Sequence, residues 1–239
     1  MVSSQYTLIE VKAALQEEAN PKTASFLQGY FKTGPGQYGE GDKFRGIKVP
    51  VIRKIVRKAR RLSMEDVISL LTSPWHEDRL LALLIWVDQF IKGDKEEQEK
   101  IYRSYLDKSH HINNWDLVDL SAPTIIGGYL WGRDRSILFE MAWSHNLWDR
   151  RMAVLATFYF IRNNDFADAL KIGEILQSDS EDLIHKAVGW MLREIGKRDP
   201  EAEESFLKKY YKDMPRTMLR YAIERFPEER RQAYLKGLV

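Results

Sequence analysis

Trp115 and Asp119 stand four residues apart in the run Asn113-Asn114-Trp115-Asp116-Leu117-Val118-Asp119. On a helix that spacing puts an indole and a carboxylate on one face, one turn apart. A carboxylate beside an aromatic face suits a reaction in which positive charge develops. Two further segments supply candidates to join them: Arg151 in Leu147-Trp148-Asp149-Arg150-Arg151, and Trp190 in Lys186-Ala187-Val188-Gly189-Trp190-Met191-Leu192-Arg193-Glu194. A carboxylate, two tryptophans and an arginine match one demand well, the breaking of an N-glycosidic bond to a purine already made cationic by alkylation. Such a base leaves without a general acid, while the sugar passes through an oxocarbenium-like state. Asp119 would stabilise that cation and orient the attacking water. Trp115 and Trp190 would hold the charged nucleotide by face contacts of roughly 0.5 to 2 kcal/mol each, and Arg151 would grip a flanking phosphate. On spacing alone an aspartate on a helix is more often a cap or a salt-bridge partner, and most of the seven tryptophans are expected in the core, Trp75, Trp86, Trp131 and Trp143 among them.

Other chemistries lack their residues. There is no His-Glu-x-x-His, no Gly-x-Ser-x-Gly and no dinucleotide fingerprint. The histidines at 76, 110, 111, 145 and 185 show no metal-ligand spacing, so no metal site is expected. The absence of cysteine removes disulfides and thiolate ligands. No apolar run approaches the roughly 20 residues that span a bilayer, and the start lacks a signal-peptide pattern, so a cytoplasmic protein without membrane contact is expected.

The net charge is only +2, but its distribution is uneven. Lys43, Arg45, Lys48, Arg53, Lys54, Arg57, Lys58, Arg60 and Arg61 follow one another with no acid between them. A helix starting near Pro50 would gather Arg53, Lys54, Arg57, Lys58 and Arg61 into one stripe, opposite Ile52, Ile55, Val56, Ala59 and Leu62. The stripe suits a phosphate backbone; an amphipathic surface helix kept solvated by its charges is the plainer reading.

The elements that must position these residues are helical. Apolar periodicity predicts helices over 7–18, 22–32, 50–61, 63–72, 75–91, 95–107, 114–130, 134–143, 147–162, 166–176, 180–196, 200–210 and 214–225. Start signals support several: Ser63 with Asp66, Ser180 after Asp179, Asp199-Pro200, and Pro215 just inside the last helix. The phrases Trp75 to Ala82 and Trp115 to Ala122 repeat a Trp and an Ala at one offset, and related phrases recur at intervals of roughly 30 to 40 residues, in the range of HEAT-like helix pairs. The expected fold class is therefore all-α, a HEAT-like solenoid of helix pairs forming a single domain over 1–239, whose concave groove would collect Trp115, Asp119, Arg151 and Trp190. Only Thr33 to Pro50, rich in glycine, interrupts the pattern; Gln37-Tyr38 and Phe44-Arg45 could pair there as a small β-hairpin within residues 34–46.

Taken together, the Trp-Asp-Leu-Val-Asp, Trp-Asp-Arg-Arg and Lys-Ala-Val-Gly-Trp-Met-Leu-Arg-Glu segments, with Asn20-Pro21 and Tyr30 near the start, resemble the HEAT-like repeat DNA alkylation repair glycosylases, the AlkD-like family, over nearly the whole chain. The resemblance implies a helical solenoid wrapping duplex DNA and releasing positively charged N3- or N7-alkylated purines without a metal or organic cofactor. It implies Asp119 as the catalytic carboxylate, Trp115 and Trp190 as cleft tryptophans, Arg151 as the phosphate grip and Tyr30 as a cleft tyrosine. Lys186 and Arg193, flanking Trp190, join the basic run as expected DNA contacts. The glycine-rich insertion resembles the hairpin of a sister subgroup that binds branched DNA, which makes a non-catalytic binder of branched or distorted DNA the alternative. One concave surface suffices for a duplex, so a monomer with no obligate protein partner is expected. A helical scaffold for proteins is the reading from a third class.

Overall fold

Short polar residues ahead of apolar runs start several of the helices, each accepting from one of the N–H groups left without a partner at a helix start. Thr7 and Glu10 form a reciprocal capping box at the start of α1 (Leu8–Glu17), and Asn20 caps α2 (Pro21–Tyr30), whose first residue is a proline that has no N–H to satisfy. The computed structural model describes residues 5–239, and every regular element among the described residues is helical. The chain divides into two compact units at Ser121 and Ala122.

The first unit continues with α3 (Val49–Ala59), α4 (Met64–Leu71), α5 (His76–Lys92), α6 (Lys95–Asp107) and α7 (Trp115–Ala122). Ser63 caps α4 through the Asp66 N–H, as its spacing predicts. The centre of this unit is α5, buried without interruption from His76 to Trp86. A helix apolar all round belongs inside a core, yet the first turn here is His76-Glu77-Asp78-Arg79, four buried polar residues in a row.

Those residues explain the glycine-rich segment, which forms turns and not the expected hairpin: Gln37-Tyr38 do not pair with Phe44-Arg45. The backbone groups that a second strand would have taken are satisfied by α5 instead. One carboxylate, Glu77, accepts from the N–H groups of Arg45 (2.8 Å), Gly46 (2.8 Å) and Ile47 (3.1 Å), Asp78 pairs with Arg45, and the His76 N–H donates to the Lys43 carbonyl at 2.8 Å. Gly46, at φ +84°, lies so close to Asn20 that a Cβ would strike its carbonyl oxygen.

The second unit holds α8 (Gly128–Leu130), α9 (Ser136–Ala142), α10 (Leu147–Arg162), α11 (Ala167–Ile175), α12 (Asp182–Gly196), α13 (Pro200–Tyr210), α14 (Arg216–Ala222) and α15 (Glu228–Lys236). The continuous helix expected over 114–130 is interrupted: Pro123, which has no N–H and crowds the preceding turn, opens a π-helical turn over Pro123–Gly127. Two expected helix starts shift as well. Asp179 accepts from the Glu181 N–H, so α12 begins at Asp182, and Pro215 is the cap residue of α14, not its first turn. Residues 228–236 form a helix the periodicity misses, because its apolar residues, Ala233, Tyr234 and Leu235, are consecutive and trace no helical face. Gly189 explains the glycine of the Lys186 to Glu194 signature: there α12 meets α14 so closely that a Cβ would strike the Met218 carbonyl. Among the described residues no helix is long and apolar enough to cross a membrane.

Candidate functional site

Asn114 sets the first turn of α7, its side-chain oxygen accepting from the Trp115 N–H at 2.9 Å. From there the helical period carries Trp115 and Asp119 to one face, as their spacing predicts. Both border a pocket of about 510 Å³ in the first unit, whose exposed lining is almost wholly apolar. Tyr30, at the end of α2, borders it too, its ring edge-on to the Trp115 indole at 6.2 Å and 70°. Tyr30, Trp115 and Asp119, all singled out in the sequence, therefore meet at one cavity.

Their neighbours were not legible in the same way. Phe31, directly after α2, stacks on Trp115 with centroids 5.2 Å apart and planes 14° from parallel. Phe26 lies parallel to Tyr30 at 6.2 Å, and both rings are exposed, at 69% and 56%. The only sequence signal for that pair is an aromatic at i and i+4 on a helix. Beneath Trp115, His76 lies between Asp116 on α7 (2.9 Å) and Asp42 (3.1 Å). Burial alone would push the imidazole down, but hydrogen bonds and charge from both carboxylates lift it to about 9, which favours the imidazolium, the form able to donate to both of them. Burial would likewise raise Asp42, yet bonds from His76 and Asn114 and the Arg79 charge hold it below the usual carboxylate range.

The basic run divides by role. On α3, Arg53, Lys54, Arg57 and Lys58 are exposed while Ile52, Ile55, Val56 and Ala59 are buried, which is the amphipathic stripe expected; Arg61 is exposed just past the helix. Lys58 meets the Tyr6 hydroxyl at 3.0 Å. Lys43 and Lys48 are exposed, and Lys48 borders the pocket. Arg45 is placed differently: its guanidinium makes two bonds to Asp78 (2.7 and 3.1 Å), a third to Gln16, and covers the Trp75 ring at 4.8 Å. An arginine so engaged holds the fold together.

In the second unit Arg151 of α10 is buried and donates to the Leu183 carbonyl of α12. Trp190, half-buried on α12, packs on Phe158 at 5.5 Å and donates from its indole to Glu194 at 3.1 Å. Arg193 pairs with Glu224, and Lys186 with Asp182 one turn away. Of the tryptophans expected in the core, Trp86 is fully buried. Trp75 is half-buried under Arg45, while Trp131 and Trp143 are 39% and 72% exposed. Both of the last two fall at helix ends, as cap residues of α8 and α9, where period no longer fixes direction. Among the described residues no three His, Asp or Glu side chains are grouped as metal ligands would be.

The model of the family described as DNA alkylation repair enzyme matches residues 11–226. The chain belongs to that family. Among solved structures it is similar to one described as a predicted DNA alkylation repair enzyme from Enterococcus faecalis, with a TM-score of 0.66 and 18% identity over 88% of this chain and 98% of that one. At that identity the likeness is one of fold. No curated protein matches the sequence. Family membership makes DNA the expected partner and gives the pocket of the first unit a chemical context.

Proposed function

We propose that the protein is a DNA glycosylase that hydrolyses the N-glycosidic bond of positively charged N3- or N7-alkylated purines in duplex DNA, leaving an abasic site. The observation that carries this reading is the meeting of Asp119, Trp115 and Tyr30 at one apolar pocket. In the proposed reaction the bond from C1′ to the purine nitrogen breaks, and its electron pair neutralises the cationic base, which needs no protonation to leave. Asp119 faces the charge that appears on the sugar, and the apolar wall strengthens that attraction by excluding water. Water then adds to C1′ and its proton passes to solvent, with Asp119 orienting the attack. The rings of Trp115 and Tyr30 attract the cationic base before it leaves. Lys48 and the α3 stripe offer charges for the phosphate backbone.

The test is base release from methylated duplex DNA. Wild-type protein should liberate 3-methyladenine or 7-methylguanine. Asp119→Asn should lower the rate by at least about 100-fold while DNA affinity stays within about threefold. Trp190→Ala and Arg151→Ala form separate arms, each read for rate and affinity. No release by folded wild-type protein would end the reading, and a preference for branched over linear DNA in that case would replace it with DNA binding alone.

A further inference from the structure

Four titratable side chains lie buried beneath Trp115: Asp42, His76, Arg79 and Asp116, between 2% and 7% exposed. Asn114, fully buried, joins them by donating to Asp42 at 3.1 Å. Arg79 reaches the other Asp42 oxygen at 2.5 Å. Apolar residues of similar volume often fill such a space as stably, and a buried charge network can act instead by selecting one conformation. Here the network reaches the start of α7. Asp116 lies next to Trp115 in sequence and accepts from His76, while the opposite nitrogen of that ring donates to Asp42 in the glycine-rich segment.

The ring itself makes a second connection to the same place. His76 stacks on Phe44 at 4.6 Å and 21°, and meets Phe31 at 5.0 Å. Phe31 in turn carries Trp115 on its face. Hydrogen bonding from one side and ring packing from the other thus both run from His76 to the indole.

We propose that His76 is a positioning residue for the reaction: bridging Asp42 and Asp116, it fixes the first turn of α7 and so the attitude of Trp115 and Asp119 to the pocket. This rests on the reading of Asp119 as the reacting carboxylate. Displacing a reacting group by about 1 Å costs about 100-fold in rate with little change in binding, and that split is what a positioning role predicts.

His76→Phe keeps the ring contacts but donates to neither carboxylate. Single-turnover base release, equilibrium affinity for methylated duplex and amide hydrogen exchange would be measured together. Release should fall about 100-fold, affinity should stay within about threefold, and exchange at residues 115–119 should quicken while α4 keeps its protection. Should that variant not fold, the Asp116 pair carries the test: Asp116→Asn keeps one of the two oxygens that accept from His76 and from the Leu117 N–H and should retain the rate within about fivefold, whereas Asp116→Leu keeps neither and should lose it as His76→Phe does. A wild-type rate in both His76→Phe and Asp116→Leu overturns the proposal, as does a parallel loss of rate, affinity and protection throughout the first unit. If wild-type protein releases no base, the glycosylase reading fails by itself. The exchange measurement then decides positioning, and unchanged protection at 115–119 in the variant rejects it.

Discussion

The indole of Trp115 lies 5.2 Å from the Phe31 ring with the two planes 14° from parallel, so a residue just past the end of α2 sets the face that the first turn of α7 offers to the pocket. Such pairs contribute about 0.5–1.5 kcal/mol beyond area burial. Phe31→Leu, which keeps most of the volume and none of the ring face, should slow base release by roughly tenfold, in keeping with that magnitude, and lower the melting temperature only a few degrees. Rate and melting curves measured on one preparation check this; an unchanged rate would remove Phe31 from the site.

The exposed cations of α3 have a salt-dependent signature. Replacing Arg53, Lys54 and Arg57 with alanine should reduce the slope of log affinity against log salt by about 3 if each meets a phosphate. Fluorescence anisotropy over a salt series reads the slope, and circular dichroism shows whether the helix persists. An unaltered slope would mean that the stripe serves solvation.

Gly46→Ala should be severely destabilising. The residue sits at φ +84°, and a Cβ would press on the backbone at Asn20 and Ala24, atoms that cannot swing away. Denaturant melts should show a loss on the order of several kcal/mol, accompanied by release of the 42–47 segment from Glu77.

Stability should fall as pH rises through neutrality. The folded value of His76, about 9, stands above the ordinary imidazole value of 6.5, so its contribution is complete below about 6.5 and disappears as pH approaches 9. Urea midpoints between pH 6 and 9.5 measure it, and Asp116→Asn should flatten that limb.

Glu203 gives a separate pH effect in the second unit. Burial, reinforced by the Glu204 charge, pushes its carboxyl up to about 8 against an opposing Arg193, so its native preference is complete below about 4.5 and is lost by pH 8. Glu203→Gln should therefore raise the melting temperature by several degrees at pH 8.5 and leave it nearly unchanged at pH 4. An equal shift at both values would show that packing against Gly196, where a Cβ would strike the carboxylate, is responsible instead.

Much of the secondary structure could be read from the chain because helices are written locally. Ser63 with Asp66, Asn20 ahead of Pro21, and Asp199 ahead of Pro200 satisfy orphan N–H groups within three residues of themselves, so the signal and the structure share one short window. The pairing of Trp115 with Asp119 and the two faces of α3 follow equally from the 3.6-residue period. Exposure at helix ends does not, and Trp131 and Trp143 turn outward where the period stops.

The sequence by itself determined which residues share a helix face, since that depends only on backbone geometry over one or two turns. Tertiary structure alone decided what those faces meet. Glu77 answers backbone donors 30 to 32 residues away, which replaces the expected hairpin, and His76 joins Asp42 to Asp116 across 34 and 40 residues. Hydrogen bonds of that reach have no period to announce them: a buried polar group takes whichever partner the packed chain brings within 3 Å, and that identity exists only once the helices have come together.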